Sequence, residues 1–204
     1  SNQSQVLVDG IEVNAATVGS FDLGNLVTDN VQQIEIIRGP QSTLYGSEAM
    51  GGVIQVVTEK GNGRPHVSYE TEAGMNDTAK AHLRYSGVKD AFDFSVDGAY
   101  ITTDGEFDND AYENVNAAGN FGYQMNDAFR VELVTRLIRA RKEIQDFGLL
   151  DPDENRTNRT ELELAGLKFN HWIMDVWEHR LLISTVRDRL LDKDPLDLGE
   201  TGEA

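Results

Sequence analysis

The chain has 204 residues, 39% of them hydrophobic, no cysteine, and 35 acidic residues against 18 Lys plus Arg, for a net charge of −17. That charge argues against nucleic acid or an anionic membrane surface as a partner, and the missing cysteines exclude a disulfide framework, a thiolate nucleophile and a Cys-based metal centre. No apolar run reaches the about 18 to 20 residues of a membrane-spanning helix, but barrel strands alternate apolar and polar residues, keep average hydropathy low, and are not excluded.

In chain order, the first strongly patterned segment is Ile34 to Val57, IEIIRGPQSTLYGSEAMGGVIQVV. Ile34, Ile36 and Ile37 predict a strand, which Gly39-Pro40 stops because proline fixes φ and cannot donate to a ladder. A single helical turn punctuated by Gly46, Gly51 and Gly52 follows, and Val53, Ile54, Val56 and Val57 then resume a buried strand. Lys60-Gly61-Asn62-Gly63-Arg64-Pro65 is a charged, Gly- and Pro-bearing break between two textures. After it the residues alternate: Phe92, Phe94, Val96, Gly98 and Tyr100 fall on one face, with Asp93, Ser95, Asp97 and Ala99 on the other. The same pattern predicts seven strands, at roughly 66–75, 78–88, 91–103, 113–124, 128–140, 158–169 and 177–188, with Val134 and Ile138 blurring the fifth.

Connections after the first hairpin alternate in length. Lys89-Asp90, Asn126-Asp127 and the break around His171 to Asp175 are short; Asp104 to Tyr112, Arg141 to Thr157 and the stretch from Leu190 onward are long and acidic. Phe92, Phe94, Phe121, Tyr123, Phe129, Trp172 and Trp177 flank the short turns, as an interfacial girdle does. The loop residues Asp104, Asp108 and Asp110 gather hard oxygen ligands of the kind calcium takes, without EF-hand spacing. Catalytic arrangements are missing: His66, His82, His171 and His179 have no HExxH spacing, Ser42 and Ser47 no GxSxG elbow, and the glycines form no phosphate cradle. No enzyme activity is expected.

The ordered set Arg38, Gly39, Pro40, Tyr45, Gly46, Gly51 and Gly52 resembles the end of the plug domain of TonB-dependent outer-membrane receptors, most like the cobalamin and siderophore transporter group. Val6 to Asn14 and Asn30 to Glu35 look like two further phrases of that plug, in the right order. The resemblance implies a mostly β fold: the C-terminal half of an α+β plug over 1–60, a linker at 61–65, and over 66–204 the first about seven antiparallel strands of a transmembrane barrel that closes with about 22. Seven strands cannot close, and an open edge in hydrocarbon leaves unpaired backbone groups. The chain is therefore expected to be a fragment of a longer receptor, without its signal sequence, TonB box and first half of the plug.

By the same resemblance, the expected function is capture and energy-dependent uptake of a scarce metal chelate, cobalamin or a siderophore, across a bacterial outer membrane. TonB with ExbB and ExbD, and outer-membrane lipid, are the expected partners. Arg38 is expected to fasten plug to barrel, with Glu161 and Glu163 as its acids, and Val18, Gly19 and Ser20 to meet the ligand. Beyond calcium in the loops, no cofactor is expected. A reading from another class is a soluble acidic β-sandwich serving as a binding module or adhesin; dependence on detergent separates the two.

Overall fold

A computed structural model describes residues 4–14, 21–46, 49–107, 109–144, 156–174 and 176–193. The N-terminal part opens with a hairpin, β1 (Ser4–Val8) and β2 (Ile11–Glu12), turned by Asp9 at φ 50° and Gly10 at φ 81°. Positive φ at both central positions is what a two-residue hairpin matching strand twist requires, and Asp-Gly supplies it. After a short 3-10 turn at Leu23–Asn25 come β3 (Val31–Arg38), the single-turn helix α1 (Ser42–Tyr45) and β4 (Gly52–Thr58). These strands form one sheet in the order β2-β1-β4-β3, with β1 parallel and β3 antiparallel to β4. Because β1 and β4 are central, their continuous apolar runs are covered on both sides. Val6, Val8 and Val56 face the second sheet, while Leu7 and Val53 pack with Ala49 under the loop that follows β3.

That loop needs its glycines. Gly39, Gly46 and Gly52 have φ of 95°, 93° and 147°, and a Cβ on Gly52 would collide with the Ile37 carbonyl oxygen of the paired strand. Gly52→Ala is therefore expected to lower the stability of this sheet by about 1 to 3 kcal/mol, read as earlier cleavage of the N-terminal segment by protease across a urea series.

The second sheet is an antiparallel meander of β5 (His66–Ala73), β6 (Ala79–Lys89), β7 (Phe92–Thr103), β8 (Tyr112–Asn126), β9 (Phe129–Glu143), β10 (Thr157–Ile173) and β11 (Trp177–Lys193), each paired with its neighbours in chain order. The strands stand where alternation predicts them; β9 and β11 run further at their long-loop ends, to Glu143 and Lys193, and β8 and β10 run further into the short turns, to Asn126 and Ile173. Period two gives the sheet two unlike faces. The inward face meets the small sheet: Val134 and Ile138 of β9 and Leu162 and Leu164 of β10 join Val6, Val8, Ile11, Val13, Leu26 and Val56 in one core. The two residues that blur the alternation of β9 are thus the ones that pack on the small sheet.

The outward face is an apolar band. Val131, Leu133 and Thr135 of β9 pair with Phe169, Leu167 and Ala165 of β10, and these with Leu181, Ile183 and Thr185 of β11; Leu137 pairs with Glu163 at the edge of the band. From Phe129 to Leu137 the band matches the about 9 to 11 residues with which a tilted strand crosses hydrocarbon. At the short-turn end its rings gather, Phe92 lying 5.8 Å from Phe94 and 6.4 Å from Phe121 between centroids, and Phe129 6.4 Å from Phe169. Trp172 departs from the predicted girdle. It occupies an inward register position and lines a recess with Asn170, Glu178 and Arg180. No helix among the described residues is long and apolar enough to cross a membrane, which says nothing about strands.

Candidate functional site at the seam between the sheets

Beside the apolar core, β6 to β8 and the positions Glu132 and Arg136 of β9 present polar side chains to the small sheet. Arg84 of β6 donates from Nε to Asp97 of β7 at 2.6 Å, pairs with Glu59 at the end of the small sheet, and donates to the Asp29 carbonyl at 3.2 Å. Lys80, one turn of the pleat away, reaches the Asp29 carboxylate at 2.8 Å. On β9, Arg136 is 4% exposed and donates to Asn30 at 3.0 Å. Glu132, 2% exposed, accepts from Lys60 at 2.6 Å and from Lys168 of β10 at 3.4 Å.

Neutral bonds complete the seam. Thr58 donates its hydroxyl to Asp9 at 2.6 Å and its backbone N–H to the same carboxylate at 2.9 Å, and accepts from Asn120 at 3.1 Å. Asn114 donates to the Asn25 carbonyl at 3.0 Å. The segment joining the sheets is also seated. Gly61 lies against the backbone of Gly87 and Phe94, leaving no room for a Cβ, and the Val88 N–H donates to the Gly63 carbonyl at 2.9 Å.

Chemically, the arrangement is a fastening. Buried charges from one body meet partners on the other, so each pair resists separation while the ions stay matched, and losing one member leaves a costly lone charge. Its wall side is made by the inward positions of alternating strands: Lys80, His82 and Arg84 on β6, Ser95 and Asp97 on β7, Asn116 and Asn120 on β8, and Glu132 and Arg136 on β9.

The predicted fastening residues are placed differently. Arg38 is exposed at the end of β3, opposite Gly52, and forms no ion pair among the described residues. Glu161 and Glu163 occupy odd positions of β10, whose even positions Leu162 and Leu164 face the small sheet. Their side chains are on the outward face, where Glu163 lies 4.0 Å from Arg187 of β11. The structure therefore does not join Arg38 to either acid, because at this height the inward face is the apolar one. The residues that do fasten the sheets, Asp29, Glu59, Lys60, Lys80, Arg84, Glu132 and Arg136, were missed in the sequence. Their signal was the polar side of each alternating strand, which reads equally well as a water-facing surface.

Gly39, Pro40, Tyr45, Gly46, Gly51 and Gly52 form the loop over Ala49, closed by the Gly39 N–H on the Gly51 carbonyl at 3.3 Å and the Gln41 N–H on the Ala49 carbonyl at 2.8 Å. Val18, Gly19 and Ser20 lie outside the described residues, as does Asp108. Asp104 is exposed, and Asp110 turns its carboxylate to the Glu106 N–H at 3.4 Å. Beyond the apolar band, Arg156 donates to Asp192 at 2.7 Å and holds that carboxyl below its usual range.

Residues 1–53 match the family described as TonB-dependent Receptor Plug Domain. Over 130 residues, 63% of this chain and 21% of the relative, the sequence is 32% identical to the Vitamin B12 transporter BtuB of Vibrio vulnificus (strain YJ016). The fold is similar to that of the siderophore receptor PirA from Pseudomonas aeruginosa, at a TM-score of 0.69 and 24% identity, covering 93% of this chain and 34% of that one. It is also similar to the siderophore receptor PiuA from Acinetobacter baumannii, at 0.77 and 13%, covering 94% and 30%. At these identities the structural likeness speaks for the fold alone. The chain spans 21% of the length of the curated relative it matches.

Proposed function

We infer that this chain, a plug and barrel-wall segment of the TonB-dependent receptor kind, gates a passage through a bacterial outer membrane and takes up a scarce metal chelate. The observation that carries this reading is the two-faced wall: an apolar band edged by rings on the outside, and a polar inside that grips a separate small sheet. A soluble sandwich would bury one face of each sheet and wet the other. Here the face away from the small sheet is the apolar one, as lipid requires.

The ion pairs and hydrogen bonds of the seam have alternatives in water, so a plug can be drawn out of register and reseated once the apolar contacts of the shared core are broken. A pull from TonB with ExbB and ExbD would supply the work, and no covalent step is involved. Identity to a vitamin B12 transporter over 130 residues favours cobalamin as the chelate over a siderophore.

Uptake of labelled cyanocobalamin by cells whose only such receptor is the protein carrying this sequence tests the reading. Uptake is expected in a TonB-competent strain and not in one lacking TonB, and a ferric siderophore should not compete. Uptake of the siderophore instead would overturn the cobalamin assignment, and uptake unaffected by TonB would overturn the gate. Calcium bound by the loop of Asp104, Asp108 and Asp110 is a separable proposal: calorimetry should show heat of calcium binding that Asp110→Ala diminishes.

A further inference from the structure

We propose that Asp29, Glu70 and His82 form a site for one divalent transition-metal ion of the zinc type, which ties the turn before β3 to the wall. The proposal rests on the reading of residues up to Thr58 as a plug seated on the inner face of the wall. Glu70 of β5 and His82 of β6 are direct cross-strand partners on that face. Asp29 comes from the turn before β3. Each offers one ligand atom, and the three atoms lie within 4.8 Å of one another.

A second observation points to a ligand. His82 is 9% exposed, yet its Nε2 has no hydrogen-bond partner, and neither has the buried Oδ2 of Asp29. Their surroundings leave these atoms spare. Asp97 Oδ1, which accepts from Arg84 Nε at 2.6 Å, lies 3.4 Å from His82 Nε2, an ion pair only when the imidazole is protonated and no hydrogen bond. Asp29 uses its other oxygen for Lys80 at 2.8 Å. Asp29 and His82 also line a cavity of about 10 Å³ with Asn30, Asp97 and Asn116; Glu70 stands outside that lining, on the exposed side of the site. A space of that size holds one water or one ion, and a buried polar atom left without a partner is unfavourable.

The donor set selects among cations. Calcium and magnesium take oxygen ligands in sixes to eights, whereas one imidazole nitrogen with two carboxylates suits zinc and its neighbours. Two ionised carboxylates offset the ion's charge, and Asp97 and Glu72 offset Arg84 and Lys80 beside it. With an ion in place, two strands of the wall and the turn before β3 share one centre, and moving the turn requires breaking a coordinate bond.

The test uses the outer-membrane protein that carries this sequence, purified in detergent, stripped with chelator and titrated with Co²⁺. One equivalent should give visible absorption that Zn²⁺ abolishes, and His82→Ala and Asp29→Asn should each weaken binding at least about tenfold while heat-modifiable gel migration is kept. No saturable equivalent would mean that a bridging water fills the cavity and would overturn the site, as would unchanged binding in His82→Ala. A parallel Thr58→Cys, Asn120→Cys pair, linked by a short thiol crosslinker, reports plug seating. Crosslinking without cobalt binding removes the metal site and leaves the seated plug; absence of both removes the two together.

Discussion

Glu132→Ala is expected to weaken the hold of the wall on the plug by about 3 kcal/mol, the low end of the cost of breaking a buried ion pair. Glu132 is 2% exposed and is the shared acceptor for Lys60 at 2.6 Å and Lys168 at 3.4 Å, with Arg130 at 3.8 Å. Removing it leaves Lys168, whose side chain is 19% exposed, without its acceptor and beside Arg130 and Lys60. The low end applies because the Lys60 side chain is 42% exposed and can turn to water. Replacing all three together, as Lys60→Met, Lys168→Met and Glu132→Met, should recover most of the loss, since apolar groups of similar volume often substitute for a buried ion cluster at little net cost. Hydrogen exchange of the amides at 56–60 reads the effect: faster in the single variant, near native in the triple. Equal acceleration in both would mean that packing, not charge, holds this corner.

Leu162→Ala should cost about 2 to 5 kcal/mol, the usual range for emptying a packed apolar site. Leu162 is 1% exposed and sits in the core shared by both bodies, beside Val134, Ile138 and Leu164. Leu167→Ala, five residues along the same strand on the outward face between Leu133 and Ile183, removes the same atoms where they do not meet the small sheet, and should shift the stability of that sheet by less than about 0.5 kcal/mol. Denaturant titration in detergent, followed by protease sensitivity of the N-terminal segment, separates the two. Equal effects would contradict the assignment of faces on β10.

Much of this architecture was legible in the sequence, because each device is local. Asp9-Gly10 makes a hairpin, Gly39-Pro40 ends a strand, and period two marks β5 to β11 at nearly their observed places. Which face of each strand looks inward was less legible. Alternation separates two faces without saying what covers either, and a sheet whose outward face is apolar along its middle is also apolar toward the small sheet at Leu162 and Leu164. Glu161 and Glu163 are acids on the outward face: Glu163 stands opposite Leu137 at the edge of the band, and Glu161 stands beyond it between Arg139 and Arg189. The seam itself could not be read from one sequence at all. Lys60 meets Glu132 across 72 positions and Arg136 meets Asn30 across 106, and no local pattern encodes such pairings.

The most direct measurement is thiol chemistry on intact outer membranes, where this chain supplies no cysteine of its own. Thr58→Cys and Asn120→Cys replace side chains that touch at 3.1 Å across the seam, whereas Leu133→Cys lies on the outward face. The expected result is a rapid crosslink between 58 and 120, none between 58 and 133, and labelling of 133 by a lipid-soluble maleimide but not a water-soluble one. Crosslinking of 58 to 133, or water-accessible thiol at 133, would contradict a plug seated on the inner face of a membrane barrel.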